Sequence, residues 1–447
     1  MSKPAIADAR DRYLADYKRF TSNGGAHAQP WLADLRQRAA ARLAETGFPT
    51  LKEEAWRFTN VSPLLETEFT PAKAGSRHSM AALAGLTIAG EAGRRLVFVN
   101  GLFEPTLSSV RELPSNVRFE NLLAAYKASP DVLRRHLGQH ARFDDNGFTA
   151  LSTAFVNDGA FLHIPRGVEL KDPLEIVYLS TASGSASVSH PRTLVVVDDG
   201  GSGVVVERYA GLDGGQYFTN TVTELVLADG ARLDHCRVQQ EGAGAYHVAA
   251  TQSVQGRDSV LESCSVALGS ALARHDIGAI MNGPGGNLIL NGLTLAVGHQ
   301  HVDHHTTIDH AQPHCESHEL FNGIFDDHSR GVFTGRIIVR PGAQRTDSKQ
   351  TNNNLLLSRD ARADSQPQLE IYADDVKCTH GATLGPVDDA AMFYLRSRGL
   401  DALEARNLLT YGFAADVVSR IKSDAMRSHL YPLLLERLCR QRTGAAA

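Results

Sequence analysis

The sequence of 447 residues predicts a mainly β protein: a β-helix flanked by N- and C-terminal α-helical segments. Three features carry this. From about 161 to 377, β-branched and alternating runs dominate, broken by Gly, Asp and Asn at recurring intervals. Within that stretch "LADGARLDHCRV", "VQGRDSVLESCSVAL", "GPGGNLILNGLTLAV", "DDHSRGVFTGRIIV" and "SRDARADSQPQLEIYAD" each set a polar turn before a strand. The turns fall near Gly230, Gly256, Gly285, Ser329 and Asp360, spaced by 26, 29, 44 and 31 residues, a loose period that suits a solenoid with insertions in some coils. Both ends, finally, repeat apolar residues at three to four. A β-sandwich is the alternative reading of the strand pattern.

Taken in order, "AIADARDRYLADYKRF" and "PWLADLRQRAAARLAETGFP" predict two helices, the second opening at Pro30 and stopping at Gly47 and Pro49. Short strands follow in "LTIAG" and "RRLVFVNGLF", where Asn100-Gly101 signals a hairpin, and helical patches at 121–139 and 147–155. Strands that cannot bury an apolar face alone are stabilised by stacking coil on coil, and Asn352 to Asn354 in "QTNNNLLLS" suit either an amide ladder or a capped turn. After Gly385 the helical period returns, with breaks expected at Gly399, Gly412 and Ser423-Asp424. The regions are therefore 1–155, helical with short strands; 156–384, the β-helix; and 385–447, helical. Terminal coils of a solenoid need covering, which the flanking helices are expected to do, besides presenting a face to another protein.

Composition excludes several function classes. Lys plus Arg is 45 against 50 for Asp plus Glu, a net charge of -5, so no nucleic-acid or anionic-membrane partner is expected from attraction alone. Charges at Asp8, Arg10, Asp11 and Arg12 interrupt any signal peptide and no run reaches membrane-spanning length, which predicts a cytoplasmic protein. The five cysteines, Cys236, Cys264, Cys315, Cys378 and Cys439, are scattered without a Cys-x-x-Cys, as reduced thiols are. There is no Gly-x-x-x-x-Gly-Lys-Ser/Thr loop, no dinucleotide fingerprint, no Gly-x-Ser-x-Gly elbow and no His-Glu-x-x-His. The chain is not expected to hydrolyse ATP itself.

Two constellations carry possible chemistry. "GHQHVDHHTTIDHAQPHCESH" holds seven histidines, His299 to His318, with Asp303, Asp309, Cys315 and Glu316. His299 and His301 would share one face of a strand and bind a transition metal; hydrogen bonding between stacked coils is the preferred reading. In "DDVKCTHGATLG", Cys378 and His380 stand two apart, so an extended chain points both to one side. A thiolate beside an imidazole suits zinc, copper or sulfide-bound iron, yet two donors do not close a tetrahedral site. A half-buried thiol next to a turn histidine is the plain alternative.

The stretch "VFTGRIIVRPGAQRTDSKQTNNNLLLSRDARADSQPQLEIYADDVKCTHGATLG", then "MFYLRSRGLDALEARNLLTYGFA", with "EEAWRFT" at Glu53 to Thr59, closely resembles the SufB/SufD family of iron-sulfur cluster assembly proteins, in its D-type branch. The resemblance implies a right-handed parallel β-helix and a non-catalytic scaffold subunit of the SUF complex. It implies pairing with a SufB-type paralogue and docking of SufC-type ATPase on the C-terminal helices, the ATPase activity residing there. It further implies that His380, with Cys378 beside it, handles a transient iron-sulfur cluster or iron at the subunit interface; Ala382 stands where some relatives carry a second cysteine. A flavin has a place only in the whole complex, and the isolated chain is open to homodimer formation. Leu409 and Phe413 in "LLTYGFAADV" offer an apolar tip for the ATPase or for internal helix packing, the latter preferred. The rival functions are a carbohydrate-active β-helix protein using Asp374 and Asp375, and a metalloenzyme using the His299 to His305 cluster.

Overall fold

The computed structural model describes residues 3–22, 29–72, 83, 86–88, 93–110, 113–181, 186–212 and 214–440. Its body is a parallel β-solenoid in which each coil lays one strand in each of two sheets. One sheet, of ten described strands, begins with the hairpin Arg94–Val99 and Leu102–Phe103. It continues through Leu174–Ser180, Ser202–Gly211, Arg232–Gln240, Val260–Ala267, Asn287–Ala296, Glu316–Phe325 and Asp347–Leu356 to Lys377–Gly385. The other, of eleven, runs from Arg118–Asn121 through Gly159–Ile164, Arg192–Val197, Tyr217–Leu227, Tyr246–Gln255, Leu272–Met281, His301–His310 and Arg330–Val339 to Arg362–Ile371. Thr70–Pro71 and Ser187–Ser189 lie at its side. The first two strands of the ten-stranded sheet are antiparallel and turn through Asn100 and Gly101, both at positive φ as the Asn-Gly pair predicts.

The coil length comes from the register. In the ten-stranded sheet Val260 pairs with Asn287, an offset of 27, and Glu316 with Asp347, an offset of 31. The sequence interval of 44 between Gly285 and Ser329 is therefore one and a half coils. Gly285 opens a strand of the ten-stranded sheet and Ser329 one of the eleven-stranded sheet. The intervening turn, at His314, carries no glycine. One column of left-handed residues in fact runs up these turns: Gly200, Gly230, Asp258, Gly285, His314 and Arg345, at φ between 52° and 73°. Each donates its backbone N–H to a carbonyl of the next turn, Gly230 to Arg257 at 2.7 Å and His314 to Gln344 at 2.9 Å. These bonds stack the corners as the strands stack the sides, so Asp and His tolerate a conformation that isolated turns reserve for Gly.

Alternate residues of both sheets point inward to one apolar interior, with Val205, Leu233, Leu261, Leu288 and Leu290 opposite Ile277, Ile308, Phe333 and Ile337. The Phe321 ring occupies the space where Gly292 has no side chain, since a Cβ there would meet the ring at 2.1 Å. Amides ladder as well: Asn353 donates to Asn322 at 3.1 Å, and Thr383 donates to Asn353 at 2.8 Å.

Among the described residues, α1 (Lys3–Ser22), α2 (Pro30–Thr46), α4 (Leu122–Ala128), α5 (Pro130–His136), α6 (Gly147–Ala154) and α7 (Asp389–Ser397) lie where helices are expected, and a short α3 (Ser62–Glu66) stands beyond those expectations. The strand expected at "LTIAG" falls partly outside the described residues, and 86–88 form no strand. "EEAWRFT" fastens the N-terminal region to the solenoid. Thr59 donates to Asp303 at 2.5 Å, Arg274 donates to the Ala55 carbonyl at 2.7 Å, and the Arg274 guanidinium lies 3.8 Å above the Trp56 ring.

Gly159, which opens the strand Gly159–Ile164 beside Arg192, has φ 152°, and a Cβ there would lie 1.9 Å from the Arg192 carbonyl oxygen. Gly159→Ala is therefore expected to destabilise the fold by roughly 2–3 kcal/mol, read as a lowered urea midpoint at unchanged slope.

Two expectations about the C-terminal region are corrected. Gly412 does not end a helix: α8 (Ala402–Ser419) runs through it, because the residue faces open space and its cost of about 1 kcal/mol is borne by the rest of the helix. Nor do the C-terminal helices cover the last coil. α8 and α9 (Asp424–Arg440) fold back onto the outer face of the ten-stranded sheet, where Val417, Val418, Met426, Leu430 and Leu434 bury against Val206, Val238, Val266, Leu293 and Ile324. At about 1.5–3 kcal/mol for each large apolar side chain so buried, the pair is fixed to the sheet. Phe413 joins this packing and Asn322 donates to its carbonyl at 3.1 Å, the internal alternative; Leu408 is the more exposed residue of that helix. Among the described residues no helix is long and apolar enough to cross a membrane.

Candidate functional site

The N-terminal end of the solenoid is closed by the hairpin strands Arg94–Val99 and Leu102–Phe103 and by the antiparallel strand Arg118–Asn121, whose Phe98, Phe103 and Phe119 join the interior, while the last coil is bare among the described residues. Lys377–Gly385 pairs on one side only, with Asp347–Leu356. Ser348 is opposite Cys378 and Gln350 opposite His380. Since Ser348 and Gln350 are buried inside the coil below, Cys378 and His380 sit on the inward face of the last strand, as the two-residue spacing predicts. With no coil above, that face is a rim. Cys378 is half-buried against the interior, near Val376 and Leu369, and His380 is exposed.

Two polar rows lead to this rim. His310 is 2.9 Å from the Ser317 hydroxyl, Ser317 is 2.8 Å from the Ser348 hydroxyl, and Cys378 is next in register. Alongside, Gln350 donates to Glu319 at 2.6 Å, with His380 next. Burial lowers the His310 imidazole to about 4 and raises the Glu319 carboxyl to about 7, so both are largely uncharged just below neutral pH. Burial also raises the Cys378 thiol, and the nearby Asp347 carboxylate adds to this. A metal or a cation brought by another chain would lower it again.

Sequence reasoning found the rim pair but not the rows beneath it. The signal is present once the coil length is known: "CESHE", "DSKQ" and "KCTH" align at offsets of 31 and 30.

The histidine-rich stretch is dispersed instead of convergent. His299 lies on a turn before the strand and stacks on His328 at 5.0 Å; it does not share a strand face with His301. His301 is 2.9 Å from the Thr59 hydroxyl and His305 2.9 Å from Arg274, while His304 points inward at the Phe321 ring. Of these, His305 makes the expected hydrogen bond across stacked coils, whereas His301 bonds the N-terminal region and His299 and His304 lie against rings of the following coils. Among the described residues, no three His, Cys, Asp or Glu side chains converge as metal ligands. Asp374 and Asp375 are exposed on the turn that enters the last strand, where the Asp375 carbonyl accepts from Arg345 N–H at 2.6 Å.

Fold and rim together define a β-solenoid that displays metal-type donors at an open end. Comparison with known proteins gives its family. Residues 178–413 match the core domain of SufBD proteins of the SUF iron-sulfur cluster assembly system, and residues 7–176 match the SufBD N-terminal region. The chain belongs to the SufBD family of iron-sulfur cluster assembly proteins. It is 33% identical over 408 residues to a SufBD family protein of Synechocystis, covering 89% of each chain. It is 30% identical to the iron-sulfur cluster assembly protein SufD of Escherichia coli, over 90% of this chain and 92% of the relative. With SufD of Bacillus subtilis the identity is 27%, over 91% and 94%.

Proposed function

We propose that this chain is a non-catalytic scaffold subunit that pairs through its open rim with a SufB-type paralogue, and that His380 and Cys378 help hold iron or a nascent iron-sulfur cluster at the seam. The observation that carries this is the placement of an imidazole and a thiol on the inward face of the last strand, which is paired on one side only. Two donors are too few for a stable site, so the remainder must come from the facing chain. The cluster is cargo assembled there and passed on.

Nucleotide-driven motion has a path to this seam. A SufC-type ATPase docked on the C-terminal helices would act on α8 and α9, and these are packed on the same ten-stranded sheet that ends in Lys377–Gly385. Displacing them shifts the sheet and with it the rim.

The test is His380→Ala in this chain, co-expressed with SufB- and SufC-type partners. Iron and acid-labile sulfide per purified complex are expected to fall at least severalfold while the complex still assembles, because His380 is exposed and supports no core packing. Undiminished cluster content in an intact complex would sink the assignment of His380.

A further inference from the structure

A second pair of soft donors lies elsewhere on the molecule. Cys236 and Cys264 occupy neighbouring parallel strands of the ten-stranded sheet in exact register, 28 residues apart, and both point outward beneath the C-terminal helices. Directly opposed residues on adjacent strands stand about 4.8 Å apart, close enough for both sulfurs to share one small ion. The neighbouring Cys236 thiol and burial push the Cys264 thiol well above its ordinary value. Both are at most 6% exposed, yet they line a cavity of about 30 Å³ roofed by Arg420 to Ser423, the connection between α8 and α9. Such a space holds one or two waters or a bare ion and excludes any organic ligand.

The donor set narrows the ion. With no third His, Cys, Asp or Glu converging among the described residues, a tetrahedral zinc or iron site is not built here. Two sulfurs alone suit a soft monovalent cation that accepts two-coordination. We propose that Cys236 and Cys264 form a dithiolate site for a single Cu(I) ion under the α8–α9 connection. Binding replaces two S–H bonds with two Cu–S bonds and releases two protons, with no change of oxidation state. The resulting single negative charge lies beside Arg420 and Lys422, which line the cavity together with Asp234 and Glu262, Lys422 being ion-paired with Glu262.

The experiment uses the full chain carrying Cys378→Ala, so that the rim thiol adds nothing, kept reduced and titrated with Cu(I) held by a chromophoric chelator. One equivalent should transfer. Cys236→Ser or Cys264→Ser should each lower the apparent affinity at least a hundredfold, and Cys315→Ser should leave it unchanged. In case a serine variant unfolds, X-ray absorption on the loaded Cys378→Ala protein should show two sulfur neighbours and no others. Failure to take copper from the chelator, full binding after loss of either thiol, or a shell containing nitrogen or oxygen would overturn the site.

Discussion

Replacing Arg192 by Met is expected to remove about 3–5 kcal/mol of stability at neutral pH, because it leaves a buried carboxylate without its charge partner. Arg192 and Glu224 are both about 1% exposed or less and meet at 2.6 Å. Glu224 also accepts backbone N–H bonds from Gly138 at 2.8 Å, His140 at 2.8 Å and Ala141 at 3.1 Å, so the pair ties the loop after α5 to the strand Tyr217–Leu227. Burial pushes the Glu224 carboxyl up, but Arg192 and the N–H bonds outweigh it and hold the group below its ordinary range. A carboxyl lowered in the folded state contributes stability that is present above its unfolded value and lost as pH falls through the folded one. In the variant the sign reverses, because burial without the guanidinium raises the folded value. The deficit should therefore be greatest near pH 7 and shrink toward pH 4 in urea titrations. Adding Glu224→Gln, which removes the charge and keeps an acceptor, should recover part of it. A deficit that grows with acid would contradict this account.

How far the sequence could foretell this depends on which interactions fix each element. The solenoid was legible because strand alternation and turn residues are local, and the Cys378/His380 pairing was legible because a two-residue period needs only an extended chain. The coil length was blurred where turns are held by stacking instead of by their own residues, as at Asp258, His314 and Arg345. Which end stays open was not legible. It depends on where α8 and α9 dock, and the apolar residues of α8 do not form a single stripe: Val417 and Val418 are buried while Leu408 is exposed. The Cys236–Cys264 contact escaped for the same reason as the polar rows, since a spacing of 28 means nothing until the register is known.

The open rim itself makes the second large prediction. An uncovered end of a parallel solenoid leaves two edge strands, each a template for another chain. Backbone direction alternates along a strand. Lys377 N–H bonds inward to Thr346 at 2.8 Å, so the N–H groups of Cys378, His380, Ala382 and Leu384 face the empty side. On the other edge, Arg362 and Tyr372 bond inward to Ser329 and Val339, which places Pro367 at an outward position where a donor is missing. That edge is blunted in its middle, as natural edges are. The edge carrying His380 is not, and exposed Leu384 and Tyr372 flank it. Strand addition by a partner is therefore expected along Lys377–Gly385, with main-chain bonds supplying affinity. Ala382→Pro removes one outward donor and places a ring against the incoming strand while sparing the inward ladder. It should leave the chain's own melting nearly unchanged and weaken association with a SufB-type partner, or with a second copy of this chain, by roughly tenfold or more. Thr379→Pro, one of the inward-bonding positions, should instead lower stability and association together. If Ala382→Pro bound its partner as tightly as the parent in a sedimentation titration, the pairing edge would have to be sought elsewhere.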